Sequence, residues 1–338
     1  MNALSIHAPI LHGGGITEAA RAFGGDPADW LDLSTGINPQ AAPIPAIPSE
    51  AWHRLPDRHL VDSAREAARH YYAAAGCLPL PTPGTQSVIQ HLPKLADPAR
   101  PVAILSPTYG EYGRVLAEAG LTVDRIVSLD EIRPEHGMVV VVNPNNPTGT
   151  LYPRKLLLTL AAQLAMRGAR LHVDEAFADG EAGESLSPNA GHVPGLTVFR
   201  SFGKFFGLAG LRLGFVLAEE PVLESFANWL GPWPVSGPAL VIAAALLADD
   251  TSSISADIKA RSQALMSVLD GAGLTVRGGT SLFALIEHEK AGELHAHLCR
   301  HHILVRKFDY NPRWLRFGLA PDAAADARLA RALSDMTL

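Results

Sequence analysis

Short apolar runs rich in β-branched residues alternate with stretches of helical spacing through the middle of the chain. Five of these runs predict strands, at residues 102–105, 138–142, 170–173, 197–200 and 213–217. Helical spacing marks residues 60–75, 85–95, 111–119 and 153–166. This alternation is typical of an α/β domain in which helices cover both faces of a mainly parallel sheet. We assign this large domain to residues 46–235.

The pattern changes after residue 235. A long apolar, helical stretch at 239–269 is followed by predicted strands at 281–286, 303–306 and 314–318. We therefore expect a second, smaller α+β domain at residues 236–338. Residues 1–45 are rich in glycine and proline and have no long period, so they predict an N-terminal arm that lies against one or both domains. We assign this arm a contribution to the small domain and to the active site.

Composition supports a folded chain of about two domains. Of the 338 residues, 47% are hydrophobic, and 28 Lys and Arg against 34 Asp and Glu give a net charge of −6. An acidic chain without a basic block is a poor partner for nucleic acid. The longest purely apolar run has ten residues, 239–248, whereas a membrane-spanning helix needs about 20. We expect neither a nucleic-acid partner nor a membrane span.

Two further patterns concern the compartment. Residues 1–11 show neither a basic leader nor a sustained apolar stretch, so they do not predict a secretory signal. Cys77 and Cys299 are isolated from each other, which indicates neither a disulfide framework nor a zinc site. The expected location is the cytoplasm.

The densest chemical motif is Ser-Phe-Gly-Lys-Phe-Phe-Gly-Leu-Ala-Gly-Leu-Arg-Leu-Gly at residues 201–214. A predicted strand brings Ser201 and Lys204 to its carboxyl end, where open parallel sheets bind ligands. Glycines leave the backbone path clear, and Arg212 returns a fixed positive charge. A hydroxyl, an amine and a guanidinium in this order suit a phosphorylated aldehyde; a glycine-rich turn with a solvated lysine is the alternative.

Three further motifs, at two strand ends and one helix start, are placed where they could contribute to the same site. Asn146 lies in the Asn-Pro-Asn-Asn-Pro turn after strand 138–142, and Asp174 ends strand 170–173, a costly place for a carboxylate without a cationic partner. The Pro-Gly-Thr-Gln segment at Gly84, Thr85 and Gln86 predicts a helix start, where backbone N–H groups favour a phosphate. Taken singly, each also fits a structural role, as a turn or an ordinary helix cap.

Together these motifs resemble the fold type I, aminotransferase-like family of pyridoxal-5′-phosphate (PLP) enzymes, over about residues 80–320. The resemblance implies a large domain with a mainly parallel seven-stranded sheet, a smaller α+β domain and a homodimer. It also implies that Lys204 forms the Schiff base with PLP and that Asp174 pairs with the pyridine nitrogen. The remaining cofactor-binding residues implied are Gly84, Thr85, Gln86, Ser201 and Arg212 at the phosphate, Asn146 at the ring oxygen and Tyr109 on the ring face.

The chain departs from this family at two positions. Many members have a tyrosine three residues after the aspartate, where this chain has Phe177. Many also have Tyr-Pro-Asp, whose tyrosine reaches the cofactor phosphate of the neighbouring subunit, where this chain has Leu55-Pro56-Asp57. The ring-oxygen contact therefore falls to Asn146 alone, and an inter-subunit phosphate contact is not predicted.

The N-terminal motifs His-Gly-Gly-Gly-Ile-Thr-Glu at 12–18 and Leu-Asp-Leu-Ser-Thr-Gly-Ile-Asn-Pro at 31–39 resemble the threonine-phosphate decarboxylases, one branch of the family. The backbone N–H groups of the glycine-rich segment that starts with His12 and Gly13 can surround and bind an anion. Asn38 is expected at the amino-acid end of the substrate. Arg306 and Arg316, on neighbouring predicted strands, suit a carboxylate and a phosphate. The sequence leaves open which arginine binds which anion.

This resemblance implies decarboxylation of a phosphorylated amino acid, L-threonine O-3-phosphate, for the nucleotide loop of cobalamin. A histidinol-phosphate-type aminotransferase is the alternative, because the same residues can also transfer an amino group. A PLP-sensing domain of a transcription regulator is disfavoured by the net charge of −6, and a Rossmann dehydrogenase by the missing Gly-x-Gly-x-x-Gly motif. His297 and His301 lie four residues apart but lack a third ligand, so no metal is expected.

Overall fold

The computed structural model of the chain describes residue 10 and residues 12–336. The prediction that residues 1–11 carry no secretory leader concerns a segment of which only Ile10 is described, so it lies outside the described residues. These residues form twelve α-helices and twelve β-strands, joined by several short 3-10 turns.

The helices and strands are numbered in chain order. The helices are α1 Ile16–Phe23, α2 Glu50–His53, α3 Arg58–Tyr71, α4 Thr85–Ile89, α5 Gly110–Glu118, α6 Arg154–Ala165, α7 Phe202–Phe205, α8 Glu220–Leu230, α9 Gly237–Ala248, α10 Ser252–Gly271, α11 Ala291–Arg300 and α12 Ala323–Ser334. The strands are β1 Leu31–Leu33, β2 Leu80–Thr82, β3 Val102–Leu105, β4 Val123–Ile126, β5 Met138–Val142, β6 Arg170–Asp174, β7 Leu196–Ser201, β8 Gly214–Leu217, β9 Val276–Thr280, β10 Phe283–Glu287, β11 Ile303–Phe308 and β12 Asn311–Gly318.

The large domain is built on a seven-stranded sheet in the order β2-β8-β7-β6-β5-β3-β4. Neighbouring strands from β4 to β7 are parallel, whereas β8 is antiparallel to both β7 and β2. The central strands β5 and β7 are buried along their whole length, as expected when helices cover both faces. The prediction of a mainly parallel seven-stranded α/β sheet is confirmed.

A five-stranded sheet in the order β1-β11-β12-β10-β9 forms the small domain. The strands from β11 to β9 come from the carboxyl-terminal third and pair antiparallel, while β1 from the N-terminal arm pairs parallel with β11. Leu33 on β1 is fully buried. The N-terminal segment thus adds an edge strand to the small sheet, and it also carries α1, which the sequence pattern did not predict.

Two predicted helices are interrupted in the structure. The stretch 239–269 divides into α9 and α10 at the Asp249-Asp250 turn, where both carboxylates accept backbone N–H groups. The stretch 85–95 ends as an α-helix at Ile89 and continues as a 3-10 turn, Leu92–Leu95, that contains Pro93, because proline lacks the N–H for an α-helical bond.

Within the described part of the chain, no single helix has the length and apolar composition needed to cross a membrane. Among the helices described, one pair, α9 with α10, meets the length and composition criteria when taken together, and these two helices are bent by 89° at their junction.

Candidate active site

The chemical residues predicted from the sequence meet at one edge of the large sheet. The parallel strands β3, β5, β6 and β7 end there, and the small domain closes the opposite side of a cavity of about 950 Å³. Carboxyl ends of parallel strands are the usual ligand site of such sheets. Of the predicted site residues, those that line the cavity are His12, Gly13, Gly84, Thr85, Gln86, Tyr109, Asn146, Asp174, Ser201, Lys204, Arg212, Arg306 and Arg316.

Lys204 lies on α7, a single helical turn directly after β7. Its Nζ donates a hydrogen bond of 3.2 Å to Ser201 Oγ and lies 5.1 Å from the centre of the Phe177 ring. Burial lowers the pKa of the Lys204 ammonium, and the nearby Arg316 and Arg212 charges lower it further, although Asp174 acts in the opposite direction. Burial therefore shifts the balance at Lys204 toward the neutral amine, which is the nucleophilic form, relative to a solvated lysine.

Asp174, the last residue of β6, is 3% exposed. Its Oδ2 accepts a hydrogen bond of 2.8 Å from the Tyr112 hydroxyl, and its Oδ1 accepts one of 2.9 Å from the Ala176 backbone N–H. Burial raises the pKa of the Asp174 carboxyl, while the Lys204 charge and the Tyr112 hydrogen bond oppose this. No ion pair within 4 Å reaches it from the described residues, so this buried acid would be stabilised by a cationic ligand.

The candidate phosphate site lies between the start of α4 and the Arg212 side chain. Arg212 has a left-handed backbone, with φ of 54°, and its guanidinium is so close to Gly84 that a Cβ there would lie 2.8 Å from Nη2. Glycine at residue 84, with φ of 76°, therefore allows the guanidinium to approach the N–H groups of Thr85 and Gln86. A guanidinium beside a helix N-terminus favours an oxyanion.

Gln86 belongs to a chain of side-chain hydrogen bonds across the cavity wall. The Tyr109 hydroxyl donates to Gln86 Oε1 at 3.1 Å, and Gln86 Nε2 donates to Glu111 Oε2 at 2.7 Å. Glu111 also pairs with Arg114 and, at 3.2 Å, with His12 Nε2. Because both polar atoms of the Gln86 amide are engaged, its backbone N–H is the group left to face an anion.

Glu111 holds this chain in place as a buried carboxylate. Burial by itself would raise the pKa of Glu111, but the Arg114 ion pair and the Gln86 amide bring the pKa below its usual value. An ionised Glu111 therefore connects the N-terminal arm, through His12, to the aromatic ring of Tyr109.

Arg316 on β12 is the most deeply buried cation that the small domain contributes to the cavity. Its Nη1 donates to Asn146 Oδ1 at 2.5 Å, its Nη2 donates to the Ser34 carbonyl at 3.0 Å, and its guanidinium stacks 4.9 Å from the Phe283 ring centre. Its Nε has no hydrogen-bond partner among the described residues. Burial, followed by the charge of Arg306, lowers the pKa of Arg316 to about 10, which means that the site would be stabilised by an anion.

Arg306 lies on the neighbouring strand, in register with Arg316. Its guanidinium lies 5.5 Å from the Phe308 ring centre, and burial lowers its pKa. The cavity wall contains six Lys and Arg side chains against two Asp side chains. This excess of positive charge suits a ligand set with several negative charges.

Asn38 is the one predicted site residue that the structure does not bring into the cavity wall. Its Nδ2 donates to the Phe205 carbonyl at 3.0 Å and its Oδ1 accepts the Gln40 N–H. Its own backbone N–H donates to the Lys204 carbonyl at 2.9 Å. Asn38 therefore supports the turn that carries Lys204, and a substrate contact by its side chain stays a prediction.

The two departures from the family pattern can now be located. The Phe177 ring lines the cavity beside Lys204, at the place where many relatives have a tyrosine. Leu55 is 66% exposed and lies outside the cavity wall. His297 and His301 have ring centres 4.7 Å apart with their planes tilted by 47°, and His297 Nε2 contacts the Ala332 carbonyl. No group of three possible metal ligands occurs among the residues described.

Several functional neighbours were missed by sequence reasoning. Tyr112 and His172 contact Asp174 directly or through each other, and Asn145 joins the loops after β3 and β5 through Thr108 and Pro107. In the sequence, Tyr112 lies within the helical stretch 111–119 and His172 within the predicted strand 170–173, and nothing in either pattern singles them out. The Asn-Pro turn at 143–147 drew attention to Asn146, and nothing in the spacing distinguishes Asn145 from it.

Comparisons with known proteins agree with this geometry. Residues 28–333 match the family model described as aminotransferase class I and II. The chain is 61% identical over 331 residues to a threonine-phosphate decarboxylase from Sinorhizobium sp, covering 98% of this chain and 99% of the relative. It is 44% identical to a threonine-phosphate decarboxylase from Pseudomonas aeruginosa, covering 95% and 96% of the two chains.

A solved structure shows the same fold. It is a histidinol-phosphate aminotransferase from Sinorhizobium meliloti in complex with pyridoxal-5′-phosphate, with a TM-score of 0.80, 20% identity and coverage of 99% of this chain and 98% of that one.

Proposed function

Since the chain belongs to the aminotransferase class I and II family, we propose that it catalyses the PLP-dependent decarboxylation of L-threonine O-3-phosphate. The products are (R)-1-amino-2-propanol O-2-phosphate and CO2, and the amino alcohol phosphate serves the nucleotide loop of cobalamin. The observation that carries this proposal is the 61% identity, over nearly the full length of both chains, to a protein named as this decarboxylase.

The residues at the sheet edge fit PLP. Asp174 is a buried carboxylate whose direct hydrogen bonds come from neutral donors, as a protonated pyridine nitrogen requires of its partner. Gly84 leaves room for the Arg212 guanidinium beside the start of α4, and Ser201 Oγ lies on the same side, next to Lys204. In this arrangement Arg212, Ser201 and the 84–86 backbone would hold the phosphate, Asp174 the ring nitrogen, Asn146 the ring oxygen and Tyr109 the ring face.

Bound PLP supplies a covalent attachment for the substrate amine and an electron sink for the electron pair of the breaking C–C bond. The protein supplies the group that transfers a proton to the substrate. Burial lowers the pKa of Lys204 below its ordinary value, which makes this lysine a stronger proton donor than a solvated one, and we assign its amine the acid–base role. Lys204 therefore delivers the proton to Cα after CO2 has left, and Ser201 Oγ, at 3.2 Å, orients the amine.

The substrate has two anionic groups, and the cavity offers two guanidinium groups from the small domain. Arg306 and Arg316 pair directly across β11 and β12, so their side chains project from the same face of that sheet. We assign the carboxylate and phosphate of the substrate to this pair, with His12 and the Gly13 backbone closing the site from the N-terminal arm. The two guanidinium groups then neutralise the negative charges of the substrate.

The decisive experiment incubates the PLP-loaded protein with L-threonine O-3-phosphate in the absence of a keto acid and measures CO2 release together with the amino alcohol phosphate. Sustained release of both products, lost in Lys204→Ala, is the expected result. The alternative function is tested in parallel with histidinol phosphate and 2-oxoglutarate. Glutamate formation without CO2 release from threonine phosphate would replace the decarboxylase by an aminotransferase.

A homodimer and a cytoplasmic location complete the proposal. The family resemblance supports the dimer, and the two buried cysteines, both free, suit a reducing compartment. The proposed partners are therefore a phosphorylated amino acid and a second copy of the chain. Light scattering coupled to gel filtration tests the dimer, for which a mass near twice 35.9 kDa is expected.

A further inference from the structure

Behind the candidate active site, three buried polar side chains are joined in one line of hydrogen bonds. His172 Nε2 lies 3.1 Å from the Tyr112 hydroxyl, and the same hydroxyl lies 2.8 Å from Asp174 Oδ2. His172 comes from β6, two residues before Asp174, and Tyr112 comes from α5, which packs over the sheet. Tyr112 and His172 are at most 1% exposed, so this line is closed to solvent.

The direction of the hydrogen bonds follows from the donors available. An ionised carboxylate only accepts, so the single proton of the Tyr112 hydroxyl points to Asp174 Oδ2. The hydroxyl oxygen then accepts from His172, which must hold its proton on Nε2. The opposite ring nitrogen, Nδ1, has no hydrogen-bond partner among the described residues. A proton there would be a buried, unsatisfied donor, which is the costlier arrangement.

The environment of Asp174 determines the protonation states of the side chains in this line of hydrogen bonds. The titratable groups that face it are Tyr112 from α5, Lys204 from α7, and His172 and Glu175 from its own segment. Burial lowers the pKa of His172 to about 3, and burial and Asp174 together keep the pKa of Tyr112 well above its usual value. Both are therefore neutral at physiological pH, and they contribute dipoles instead of charges.

We propose that Tyr112 and His172 are positioning residues, which fix the orientation of the Asp174 carboxylate and keep it ionised for the ring nitrogen of the bound cofactor. Asp174 Oδ1 is fixed by the Ala176 N–H and Oδ2 by the Tyr112 hydroxyl. With both oxygens held, the remaining lone pairs present a defined acceptor to one further N–H group. This inference rests on the proposed function, because it deepens the role of Asp174 at the same site.

The first test is Tyr112→Phe, which removes one hydroxyl and keeps the buried ring. The readout is the 15N chemical shift of the ring nitrogen in bound, 15N-labelled PLP, which separates a protonated from an unprotonated nitrogen. We expect a protonated nitrogen in the unsubstituted chain and a shift toward the unprotonated value in the variant. The affinity of the apoprotein for PLP, measured by fluorescence, should fall about tenfold, since a hydrogen bond to a charged group is lost.

Tyr72→Phe is the matched control. Tyr72 is another buried tyrosine of the same domain, 5% exposed, and its ring centre lies 4.5 Å from the Arg200 guanidinium. Its substitution should leave the 15N signal and the PLP affinity unchanged. Comparable changes in both variants would mean that Tyr112 acts only through packing, and would overturn the inference.

The second test separates His172 from Tyr112. His172→Phe fills the ring space beside Phe199, which lies 4.1 Å away between ring centres, but removes the Nε2–H donor. His172→Gln keeps an N–H group. We expect the phenylalanine variant to shift the 15N signal in the same direction as Tyr112→Phe, and the glutamine variant to restore most of it. A glutamine variant no better than the phenylalanine variant would refute the directed hydrogen bond.

The two proposals fail in different ways. If the unsubstituted chain binds no PLP, or if Lys204→Ala still forms the covalent chromophore, the proposed function fails. If the unsubstituted chain binds PLP through Lys204 and the 15N signal of Tyr112→Phe is unchanged, only the positioning role fails. Turnover gives an independent check, since loss of the Tyr112 hydroxyl should lower kcat and leave KM nearly unchanged, because Arg306 and Arg316 stay intact.

Discussion

Single buried side chains in this protein are held by several partners at once, and Arg316 shows what that means for binding. Its two terminal nitrogens reach Asn146 and the Ser34 carbonyl, which come from the large domain and the N-terminal arm. Its Nε stays unpaired among the described residues. A buried guanidinium with one unpaired N–H donor can bind an anion. The compact ammonium group of a lysine could not make the same set of hydrogen bonds.

Arg316→Lys is therefore expected to raise KM for L-threonine O-3-phosphate by about 10- to 100-fold, because a bidentate, charge-assisted contact is lost. The binding of PLP should change much less, since Arg212 and Asp174 are untouched. Steady-state kinetics and PLP fluorescence measure the two effects separately.

Arg313→Lys is its control. Arg313 lies on the same strand, with its side chain 52% exposed beside Glu287, so its substitution should leave KM unchanged. Equal KM values for Arg316→Lys and the unsubstituted chain would remove Arg316 from the substrate site.

At the scale of single residues, the sequence could predict those side chains whose chemistry is unusual for their position. Lys204 and Asp174 follow apolar strands, where a charge needs a reason, and both line the cavity. Asn38 was predicted from the resemblance of the 31–39 motif, and its amide is used inside the protein. Tyr112 and His172 could not be found in this way, because an aromatic ring at a core position looks the same whether or not its polar atom is engaged.

At the scale of secondary-structure elements, β6 and β7 are joined by a buried ion pair next to the site. Arg200 Nη1 and Nη2 each donate at 2.8 Å, to Glu175 Oε2 and Asp179 Oδ1 respectively. Glu175 follows Asp174, and Arg200 precedes Ser201. Glu175 also accepts hydrogen bonds from Ser185, Ser187 and the Leu186 N–H. The network thus fixes the two strand ends next to Asp174 and Ser201.

Arg200→Leu should destabilise the fold by about 3–5 kcal/mol, because it leaves buried carboxylates without their cation. Urea unfolding followed by circular dichroism measures this. The surface variant Arg133→Leu, which removes an ion pair to Asp124 from a side chain that is 57% exposed, should change the free energy of unfolding by less than about 1 kcal/mol. If the two variants unfold at the same urea concentration, the buried network does not stabilise the fold.

The accuracy of the predicted elements follows their hydrophobic pattern. The strand at 138–142 has its predicted limits, because five consecutive apolar residues are buried on both faces. Strand β9 was missed, since its sequence Val-Arg-Gly-Gly-Thr neither alternates nor favours a strand. Strands β2 and β4 were also missed. They form the two edges of the large sheet, and Pro81 or charged side chains at an edge weaken the apolar signal.

Across the whole molecule, the reason for the glycines of β9 becomes clear. The loop after β5 in the large domain packs directly on this strand of the small domain. A Cβ at Gly278 would lie 2.0 Å from the Thr148 carbonyl oxygen, and one at Gly149 would lie 2.0 Å from the Gly279 carbonyl oxygen. The same loop carries Asn146, which accepts from Arg316. Close backbone contact between the domains therefore determines the distance between the cofactor side and the substrate side of the cavity.

Gly278→Ala tests this relation, since Gly278 has no special backbone conformation and the effect is purely steric. The added methyl must push the small domain from the loop at Thr148. We expect a loss of about 1–3 kcal/mol in the free energy of unfolding and a several-fold rise in KM, because Arg316 and Asn146 separate. Gly271→Ala is the matched control: Gly271 ends α10, and within the described structure a Cβ there meets no atom within 4 Å, so stability should be equal or slightly higher. A Gly278→Ala variant with lowered stability and unchanged KM would show that the domain contact supports the fold but does not set the geometry of the substrate site.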